Sequence, residues 1–278
     1  MLVFHSHCQM GNQMFIYACA RSLAKKRKLE YCLSEIEYLQ YFELSKDDIN
    51  NAGKYRKFKI INKIPGFKFT FKHYQDNRID YADLMVQENS KRVWYYGYFQ
   101  GEKYLFDNTN DIRKCFQIKS QYIDEYNNFK NKYLQSKRSI VVHIRLKDYK
   151  TFGPDFLNGP DLTLPFSYYH HNLKQQIEQQ SDNNFQIIFL SDDINEVKKE
   201  FGSYNGIFSE NNMIVDFQIL KNASVAIISP SSYAWWACWL SDPGLQVTVV
   251  PKYFLGFKVN NEFPINMIPP HFIQAVVN

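Results

Sequence analysis

The chain has 278 residues, of which 45% are hydrophobic and 17% aromatic, so it is long enough for two modest α/β domains or one large one. Its net charge of +5 suits an anionic ligand or surface but is too small to indicate a nucleic-acid partner. No apolar run approaches the length of a transmembrane helix, and the start lacks signal-peptide architecture. The five cysteines are widely spaced, so we expect reduced thiols and a cytoplasmic location.

The N-terminal part begins with a β–loop–α pattern. Residues 2–4 predict a short strand, and residues 14–23 predict a helix that ends in a basic run. The loop between them places Asn12 and Gln13 over the end of the strand. These two amides either close the loop onto neighbouring backbone or hydrogen-bond the hydroxyls of a ligand.

Residues 31–92 are the least informative part of the chain, but they contain a strongly basic segment. Between Lys54 and Arg78 there are eight Lys or Arg residues and one acid, Asp76. Aromatic residues alternate with bases in 67–72. Such a segment is either the solvated face of a strand or loop, or a contact for an anionic membrane or a phosphate-bearing acceptor.

A domain boundary is expected near residue 137, where a polar, helix-prone stretch gives way to an apolar strand. The resulting domains are 1–136 and 137–278. In the second domain, apolar runs alternate with helical patterns at short spacing, which predicts a doubly wound, Rossmann-like α/β fold. The predicted strands are 139–145, 185–190, 207–208, 225–229 and 247–250.

The stretch 139–149 organises this second domain. After Ser139 it has three β-branched apolar residues in a row, which predicts a strand covered on both faces, as in a parallel sheet. His143 and Arg145 share a face at its carboxyl end, where open α/β sheets bind ligands. The Arg145 guanidinium is matched to phosphate oxygens, and Asp148 would orient it. The alternative is a purely structural Arg145–Asp148 ion pair.

Polar side chains follow three of the predicted strands. The start of the helix at 233–240 is an expected anion site, because its N–H groups are free and a serine caps it. Asp192 suits contact with a ribose or base. The alternatives are that Asp192 is only an acidic residue at a helix start and that Ser232 is only an N-cap. We find no dinucleotide fingerprint, no P-loop and no metal-ligand cluster, so no metal is expected. The groups at the three strand ends are His143 and Arg145, Ser191 and Asp192, and Ser229, Ser231 and Ser232.

Five motifs occur in a fixed order: Gly11-Asn12-Gln13-Met14-Phe15-x-Tyr17-Ala18, Gly97-Tyr98-Phe99-Gln100, His143-x-Arg145-x-x-Asp148-Tyr149, Phe189-x-Ser191-Asp192-Asp193 and Ser232-Tyr233-x-Trp235-Trp236. Together they resemble the motifs of bacterial α-1,2-fucosyltransferases, glycosyltransferase family eleven, over nearly the whole chain except residues 31–92. The resemblance implies a GT-B fold, with two Rossmann-like doubly wound domains facing a cleft. It places GDP-fucose on the second domain and most of the acceptor on the first.

The resemblance also implies a reaction: inverting, metal-independent transfer of L-fucose from GDP-fucose to the 2-hydroxyl of a galactoside, in surface glycan or O-antigen synthesis. GDP-fucose would be the donor substrate, with no cofactor. The acceptor would be a free or lipid-linked oligosaccharide. The enzyme would then lie in the cytoplasm or at the inner face of the membrane.

Residue roles follow from the resemblance, position by position. Arg145 would bind the donor diphosphate and stabilise the leaving group. His143 and Asp192 would bind the nucleoside, and Asn12 and Gln13 would lie on the acceptor side. The full expected donor-binding set is His143, Arg145, Lys147, Asp148, Ser191, Asp192, Ser231 and Ser232.

The sequence departs from the family pattern at two places. The usual second arginine is Leu146, and Lys147 would have to replace it. The usual glycine pair before Met10 is Cys8-Gln9, which would narrow the loop facing the acceptor.

Some questions stay open at this point. The base that deprotonates the acceptor hydroxyl would be Asp155 or Asp161, with Asp148 as a third candidate. A non-catalytic GDP-sugar or glycan-binding protein is one alternative function, supported only by the change at position 146. A GT-B transferase with another nucleotide sugar is the other alternative.

Overall fold

A computed structural model describes residues 1–64, 66–74, 91–242 and 244–277 of the chain. They form two compact units: Met1–Lys119 with Phe263–Met267, and Ser120–Glu262 with Ile268–Asn278. The stretch 120–136, which we assign from the sequence to the first domain, belongs to the second unit. There Gln218 donates a hydrogen bond to the carbonyl of Tyr122 at 2.8 Å.

The first unit is built on a four-stranded parallel sheet with the order β2-β1-β4-β3. The predicted N-terminal strand and helix are confirmed, but the helix begins earlier, at Met10. The chain turns sharply at Cys8, whose φ is 65°, so the helix starts directly after the loop. The strands are β1 (Leu2–His5), β2 (Tyr31–Leu33), β3 (Thr70–Tyr74) and β4 (Val93–Gly97), and the helices are α1 (Met10–Arg27), α2 (Lys46–Gly53), α3 (Tyr55–Ile61) and α4 (Thr109–Cys115).

A short segment late in the chain, Phe263–Met267, completes the first unit. It passes so close to Gly101 that a Cβ at that position would lie 2.7 Å from the carbonyl oxygen of Asn266. Gly101 also has a φ of +120°, which only glycine adopts readily. The returning segment therefore requires a glycine at this position.

A buried polar network ties the helices of the first unit together. Arg21 of α1 donates from Nε and Nη2 to the carboxylate of Asp111 in α4, at 2.6 and 3.1 Å. Its Nη1 donates to Asp48 of α2 at 2.8 Å, and the Asp48 side chain is only 4% exposed. Three hydroxyls also donate to the Asp48 carboxylate, those of Tyr17, Tyr31 and Ser45.

The second unit contains a six-stranded parallel sheet with the order β10-β9-β8-β5-β6-β7. Chain order runs outward in both directions from the β5–β8 pair, which confirms the predicted doubly wound sheet and puts its switch point there. The strands are β5 (Arg138–Ile144), β6 (Phe185–Ser191), β7 (Ile207–Phe208), β8 (Val225–Ile228), β9 (Val247–Pro251) and β10 (Ile273–Ala275). The helices are α5 (Ile123–Phe129), α6 (Phe166–Glu178), α7 (Ile194–Phe201), α8 (Met213–Lys221) and α9 (Ser232–Trp239).

Strand β5 is buried along its length, as the unbroken apolar run predicts. Tyr168, Tyr169 and Leu173 of α6 pack in the same apolar core. Three tryptophans of α9, at 235, 236 and 239, are fully buried, so this helix is anchored against the sheet. None of the described helices combines the length and apolarity needed to cross a bilayer.

We expect Arg21→Leu to lower the free energy of unfolding by about 3 kcal/mol, because it leaves the buried Asp48 carboxylate without its cation. Urea denaturation measures this loss. Arg21→Leu combined with Asp48→Asn should lose less than the sum of the two single variants, since the charge left behind is then removed as well. Strict additivity would show that the two side chains do not interact energetically.

Candidate functional site

The hydroxyl of Ser229 joins the carboxyl ends of β5 and β8. Ser229 is 1% exposed, and its Oγ donates to the carbonyl of His143 at 3.0 Å. The same oxygen accepts the backbone N–H of Arg145 at 2.7 Å and lies 2.7 Å from the hydroxyl of Tyr169. A serine hydroxyl has one donor hydrogen and two acceptor lone pairs, so these contacts use it fully. Ser229 thus fixes the backbone from which the Arg145 side chain emerges.

The Arg145 guanidinium is held by two carboxylates. Its Nε and Nη2 donate to the two oxygens of Asp148, both at 2.7 Å. The same Nε lies 3.3 Å from Asp192 Oδ2. The Arg145–Asp148 ion pair therefore exists. It orients the guanidinium at the edge of the sheet where ligands bind, so a structural pair and a phosphate role are compatible.

Asp192 organises the turn that follows β5. Its Oδ1 accepts the N–H of Leu146 at 2.8 Å, and its Oδ2 accepts the N–H of Lys147 at 3.1 Å. The Asp192 carboxylate, which we expect to bind the nucleoside, is therefore already hydrogen-bonded to backbone N–H groups through both oxygens. Next to it, Ser191 Oγ accepts the N–H of Asp193 at 3.0 Å. Asp193 in turn caps α7 by accepting the N–H of Glu196 at 3.3 Å.

The start of α9 lies directly after β8. Its N-cap is Ser231 rather than Ser232: Ser231 Oγ accepts the N–H of Ala234 at 3.5 Å, and Ser232 is the first helical residue. The hydroxyl of Tyr149 donates to the carbonyl of Pro230 at 2.7 Å and holds the preceding turn in place. First-turn N–H groups have no carbonyl partner within a helix, so this end can bind an anion.

His143 is a buried, neutral imidazole. Its side chain is 6% exposed, and its ring stacks on Tyr233 of α9 with centroids 5.8 Å apart. Nδ1 has no hydrogen-bond partner among the described residues. Burial and the nearby Arg145 charge lower the pKa of His143 to about 3. A neutral ring at this position can donate or accept a hydrogen bond without bringing a charge.

Asp216 of α8 is a site candidate that we did not predict. Burial raises its pKa to about 7, although hydrogen bonds from Ser209 and Asn211 oppose the shift. Ser209 Oγ donates to its Oδ1 at 2.5 Å. The pKa of Tyr233, the residue stacked on His143, is raised by burial and by the charge of Asp216. The available signal was an acid within the otherwise apolar helical run 213–217.

The loop between β5 and α6 carries all three candidate bases, Asp148, Asp155 and Asp161. Leu157 and Leu162 are buried and anchor it, and Asp155 is exposed. Asp161 Oδ1 accepts the N–H and the hydroxyl of Thr163 at 2.8 and 2.7 Å. Partial burial raises the pKa of Asp161, but these hydrogen bonds outweigh it and leave the pKa below its usual value. Because its pKa is lowered, Asp161 is a weaker proton acceptor than an ordinary aspartate.

Positions 146 and 147 differ sharply in environment. Leu146 is 2% exposed and belongs to the apolar core of the second unit. Lys147 has an exposed side chain at the same turn. Of these two positions, only 147 allows a cationic side chain to reach solvent.

In the first unit, rings stack at the carboxyl ends of β1 and β4. The imidazole of His7 lies 5.0 Å from the ring of Tyr96 and 4.8 Å from that of Tyr98. His5 stacks on Tyr96 at 4.9 Å. These partly exposed rings form a surface of the kind that receives the apolar face of a sugar.

The two amides of the loop after β1 have different roles. Gln13 is buried, and its Nε2 donates to the carbonyl of Cys8 at 3.1 Å while its Oε1 accepts the N–H of Tyr38 at 3.2 Å. Gln13 therefore closes the loop onto neighbouring backbone, which is the first of the two roles considered for it from the sequence. Asn12 is partly exposed and accepts a hydrogen bond from the Gln100 side chain at 2.8 Å.

We expect Ser229→Ala to lower the free energy of unfolding by about 2 kcal/mol, because it strands the buried N–H of Arg145 without a partner. Tyr169→Phe removes a single contact to the same hydroxyl and should cost about 1 kcal/mol. Urea denaturation of both variants tests this order. An alanine variant as stable as the wild type would show that Ser229 is not the connection described.

We expect the buried His143 to make the protein less stable in mild acid. Its pKa is about 3 in the folded chain, whereas an unfolded histidine titrates near 6.5, so between these values the unfolded chain binds the extra proton. The stabilising contribution is present above about pH 6.5 and is lost as the pH falls toward 3, by about 2 kcal/mol between pH 7 and pH 5.

Urea titrations at the two pH values check this expectation, with His143→Gln as the comparison. The variant should lose about 2 kcal/mol less between them. Asp216, whose pKa is raised, acts in the opposite direction but is common to both proteins. Identical pH dependence in the two proteins would contradict the neutral, buried state of His143.

Two curated proteins of Escherichia coli align with nearly the whole chain. An alpha-1,2-colitosyltransferase is 27% identical, and the alignment covers 91% of this chain and 92% of that protein. The O-antigen biosynthesis glycosyltransferase WbnK is 23% identical, with 93% and 95% covered. Both alignments extend through the two units described above.

Solved structures share the fold at low sequence identity. The fucosyltransferase NodZ from Bradyrhizobium superposes with a TM-score of 0.56 at 12% identity, over 86% of this chain and 93% of that one. The fold is thus α/β of the GT-B class, with parallel sheets. The family model for glycosyl transferase family 11 matches residues 3–255. Because this match covers most of the chain, the protein belongs to glycosyltransferase family 11.

Proposed function

We propose that this protein is an inverting glycosyltransferase that moves L-fucose from GDP-fucose to the 2-hydroxyl of a galactoside in a surface glycan or O-antigen. The observation that carries the proposal is the switch point between β5 and β8. There an oriented guanidinium, a capped helix start and a neutral imidazole converge within a few residues of each strand end. Membership of glycosyltransferase family 11 supports the reaction class.

The donor diphosphate is proposed to bind between Arg145 and the start of α9. Arg145 brings a permanently charged, planar guanidinium to this edge, and Asp148 fixes its orientation through Nε and Nη2. The first-turn N–H groups of α9 and the hydroxyl of Ser232 add donors that need no counter-charge. NodZ, which shares the fold, has been solved after soaking with GDP-fucose.

The nucleoside is proposed to bind beside His143, Tyr233 and Asp216. A base can stack on the exposed part of the Tyr233 ring, which the buried His143 supports. Guanine presents N–H donors at its edge, and the Asp216 carboxylate is an acceptor for them. Asp192 contributes indirectly, because its two oxygens hold the turn that places Arg145 and Lys147.

The reaction needs a stabilised leaving group and a deprotonated acceptor hydroxyl. The 2-hydroxyl oxygen attacks the anomeric carbon of fucose, the bond from that carbon to the diphosphate breaks, and GDP leaves with the electron pair. Arg145 and the start of α9 stabilise the negative charge that develops on the diphosphate. Of the proposed bases, Asp155 is exposed, whereas Asp148 is engaged by Arg145 and Asp161 by Thr163. We therefore favour Asp155.

A second donor has specific support. The relative that is 27% identical is named an alpha-1,2-colitosyltransferase, and colitose lacks one ring hydroxyl of L-fucose. A transferase for GDP-colitose would use the same diphosphate and nucleoside contacts. The two donors differ only in that hydroxyl. The choice between them therefore depends on whether the protein hydrogen-bonds it.

Purified protein incubated with GDP-fucose or GDP-colitose and a panel of galactosides tests the proposal. We expect GDP release that depends on the acceptor and a product with an α-1,2 linkage. Faster turnover of GDP-colitose would assign the second donor. Tight GDP binding without GDP release from either donor would identify a non-catalytic binding protein instead.

We expect turnover to persist in excess EDTA, since cations of the chain and a helix start are proposed to stabilise the diphosphate. The described residues contain no group of three or more His, Cys, Asp or Glu that could hold a metal ion. Initial rates with and without EDTA, followed by added Mg²⁺ or Mn²⁺, measure the dependence. Loss of activity in EDTA that a divalent ion restores would overturn this prediction.

We expect Arg145→Ala to lower kcat by about a hundredfold to a thousandfold while weakening GDP binding less, because the charge on the diphosphate grows in the transition state. Arg145→Lys should recover only part of the rate, since an ammonium lacks the planar fork. Asp148→Ala is the matched control that breaks the ion pair but keeps the guanidinium. Thermal melting identifies damage to the fold. A well-folded Arg145→Ala protein with near-normal kcat would leave only the structural role.

A further inference from the structure

We infer that one face of the first unit is a docking surface for an anionic lipid membrane. This basic patch is formed by α3, the turn after it and the edge strand β3. It consists of Lys57, Lys59, Ile60, Lys63, Ile64, Phe67, Lys68 and Phe71, all of which have exposed side chains.

The charge of this surface has one sign. Between residues 54 and 72 there are seven Lys or Arg residues and no Asp or Glu. None of the described acids forms an ion pair with Lys57, Lys59, Lys63 or Lys68. Most exposed bases of a solvated face alternate with acids or pair with them, and these do not. The charge is thus complementary to an anionic surface.

Large apolar side chains project among these cations. The exposed fractions are 67% for Ile60, 46% for Ile64, 48% for Phe67 and 53% for Phe71. Exposed apolar groups surrounded by lysines are typical of segments that lie in the headgroup region of a membrane. Aliphatic isoleucines favour lipid over nucleic acid, because they offer neither a stacking face nor a hydrogen bond to a base.

The basic patch is held in place by a second, buried aromatic face. Phe58 and Phe69 pack edge to face at 6.1 Å, and Phe69 packs on Trp94 of β4 at 5.8 Å. The side chain of Asn62 accepts the N–H of Phe69 at 2.9 Å. Phe71 of β3 also stacks on Trp94, at 5.5 Å, but about half of its surface stays exposed. The segment is therefore anchored inward through Trp94, while Phe67 and part of Phe71 remain at the surface.

The turn that carries Phe67 is also fixed. Arg92 Nη1 donates to the carbonyl of Gly66 at 3.2 Å, and the same guanidinium lies 4.7 Å from the centre of the Phe67 ring. This contact orders the ring while leaving about half of it exposed. It also adds a further cation beside the basic patch.

Vesicle co-sedimentation of the full chain tests the inference, with phosphatidylcholine vesicles compared to vesicles that also contain phosphatidylglycerol. We expect binding to the anionic vesicles only, and weaker binding as salt rises. Equal binding to both kinds of vesicle, or to neither, would overturn the inference.

Two pairs of matched variants locate the surface. Lys57→Glu/Lys59→Glu should weaken binding at least about twentyfold, since each base near an anionic surface contributes about fivefold. Lys130→Glu/Lys137→Glu changes the net charge equally, at two exposed lysines of the second unit, and should weaken binding far less. Likewise Ile60→Ser/Phe67→Ser should reduce binding, and Leu245→Ser/Ile273→Ser, at exposed apolar positions elsewhere, should not. Equal effects within either pair would contradict a localised patch.

Two further measurements keep the result interpretable. Thermal melting confirms that each variant is folded. If Lys57→Glu/Lys59→Glu is not folded, Lys63→Glu/Lys68→Glu replaces it. Binding to a mixed-sequence RNA oligonucleotide is measured in parallel. Loss of RNA binding with unchanged vesicle binding would make the face a nucleic-acid surface and overturn the inference. Sugar transfer to a soluble acceptor should be unaffected by the patch variants, so the proposed function is judged separately.

Discussion

The hydroxyl of Ser229 is the contact on which the candidate site depends. It bonds to backbone on both sides of the switch point, so β5 and β8 end at a fixed distance and the chain leaves β5 in one direction. Tyr169 adds a contact from α6, which couples this edge to the apolar core. Because all bonding capacity of the serine is used inside the protein, it supports the site without contacting a ligand.

Charges at this edge nearly cancel. The guanidinium of Arg145 and the exposed Lys147 stand against the carboxylates of Asp148 and Asp192, and His143 is neutral. The proposed donor diphosphate would therefore not be drawn in by a strong net field. Its recognition would depend on the geometry of individual donors, namely one oriented guanidinium and one helix start. A site of this kind would discriminate by shape and hydrogen bonding more than by charge.

Sequence patterns predicted those features of the fold that depend on neighbouring residues. The apolar run of β5 indicated a doubly covered strand, and parallel strands necessarily bring their carboxyl ends to one edge. Which group a polar side chain binds there was not predictable. Asp192 bonds to backbone at 146 and 147, and Gln13 to residue 38, and no local pattern encodes such distant partners. Asp216 was missed because the burial that raises its pKa comes from tertiary packing, which a local hydrophobic pattern does not encode.

The segment Phe263–Met267 has a consequence for how the chain is made. The first unit needs these residues, and Gly101 is shaped to receive Asn266. On a ribosome the chain emerges from its N-terminus, so the first unit has to wait, incomplete, until almost all of the second has been synthesised. Until then the part of the first unit that Phe263–Met267 covers stays open, including the surroundings of the fully buried Met267. An isolated fragment of residues 1–119 would keep the same defect permanently.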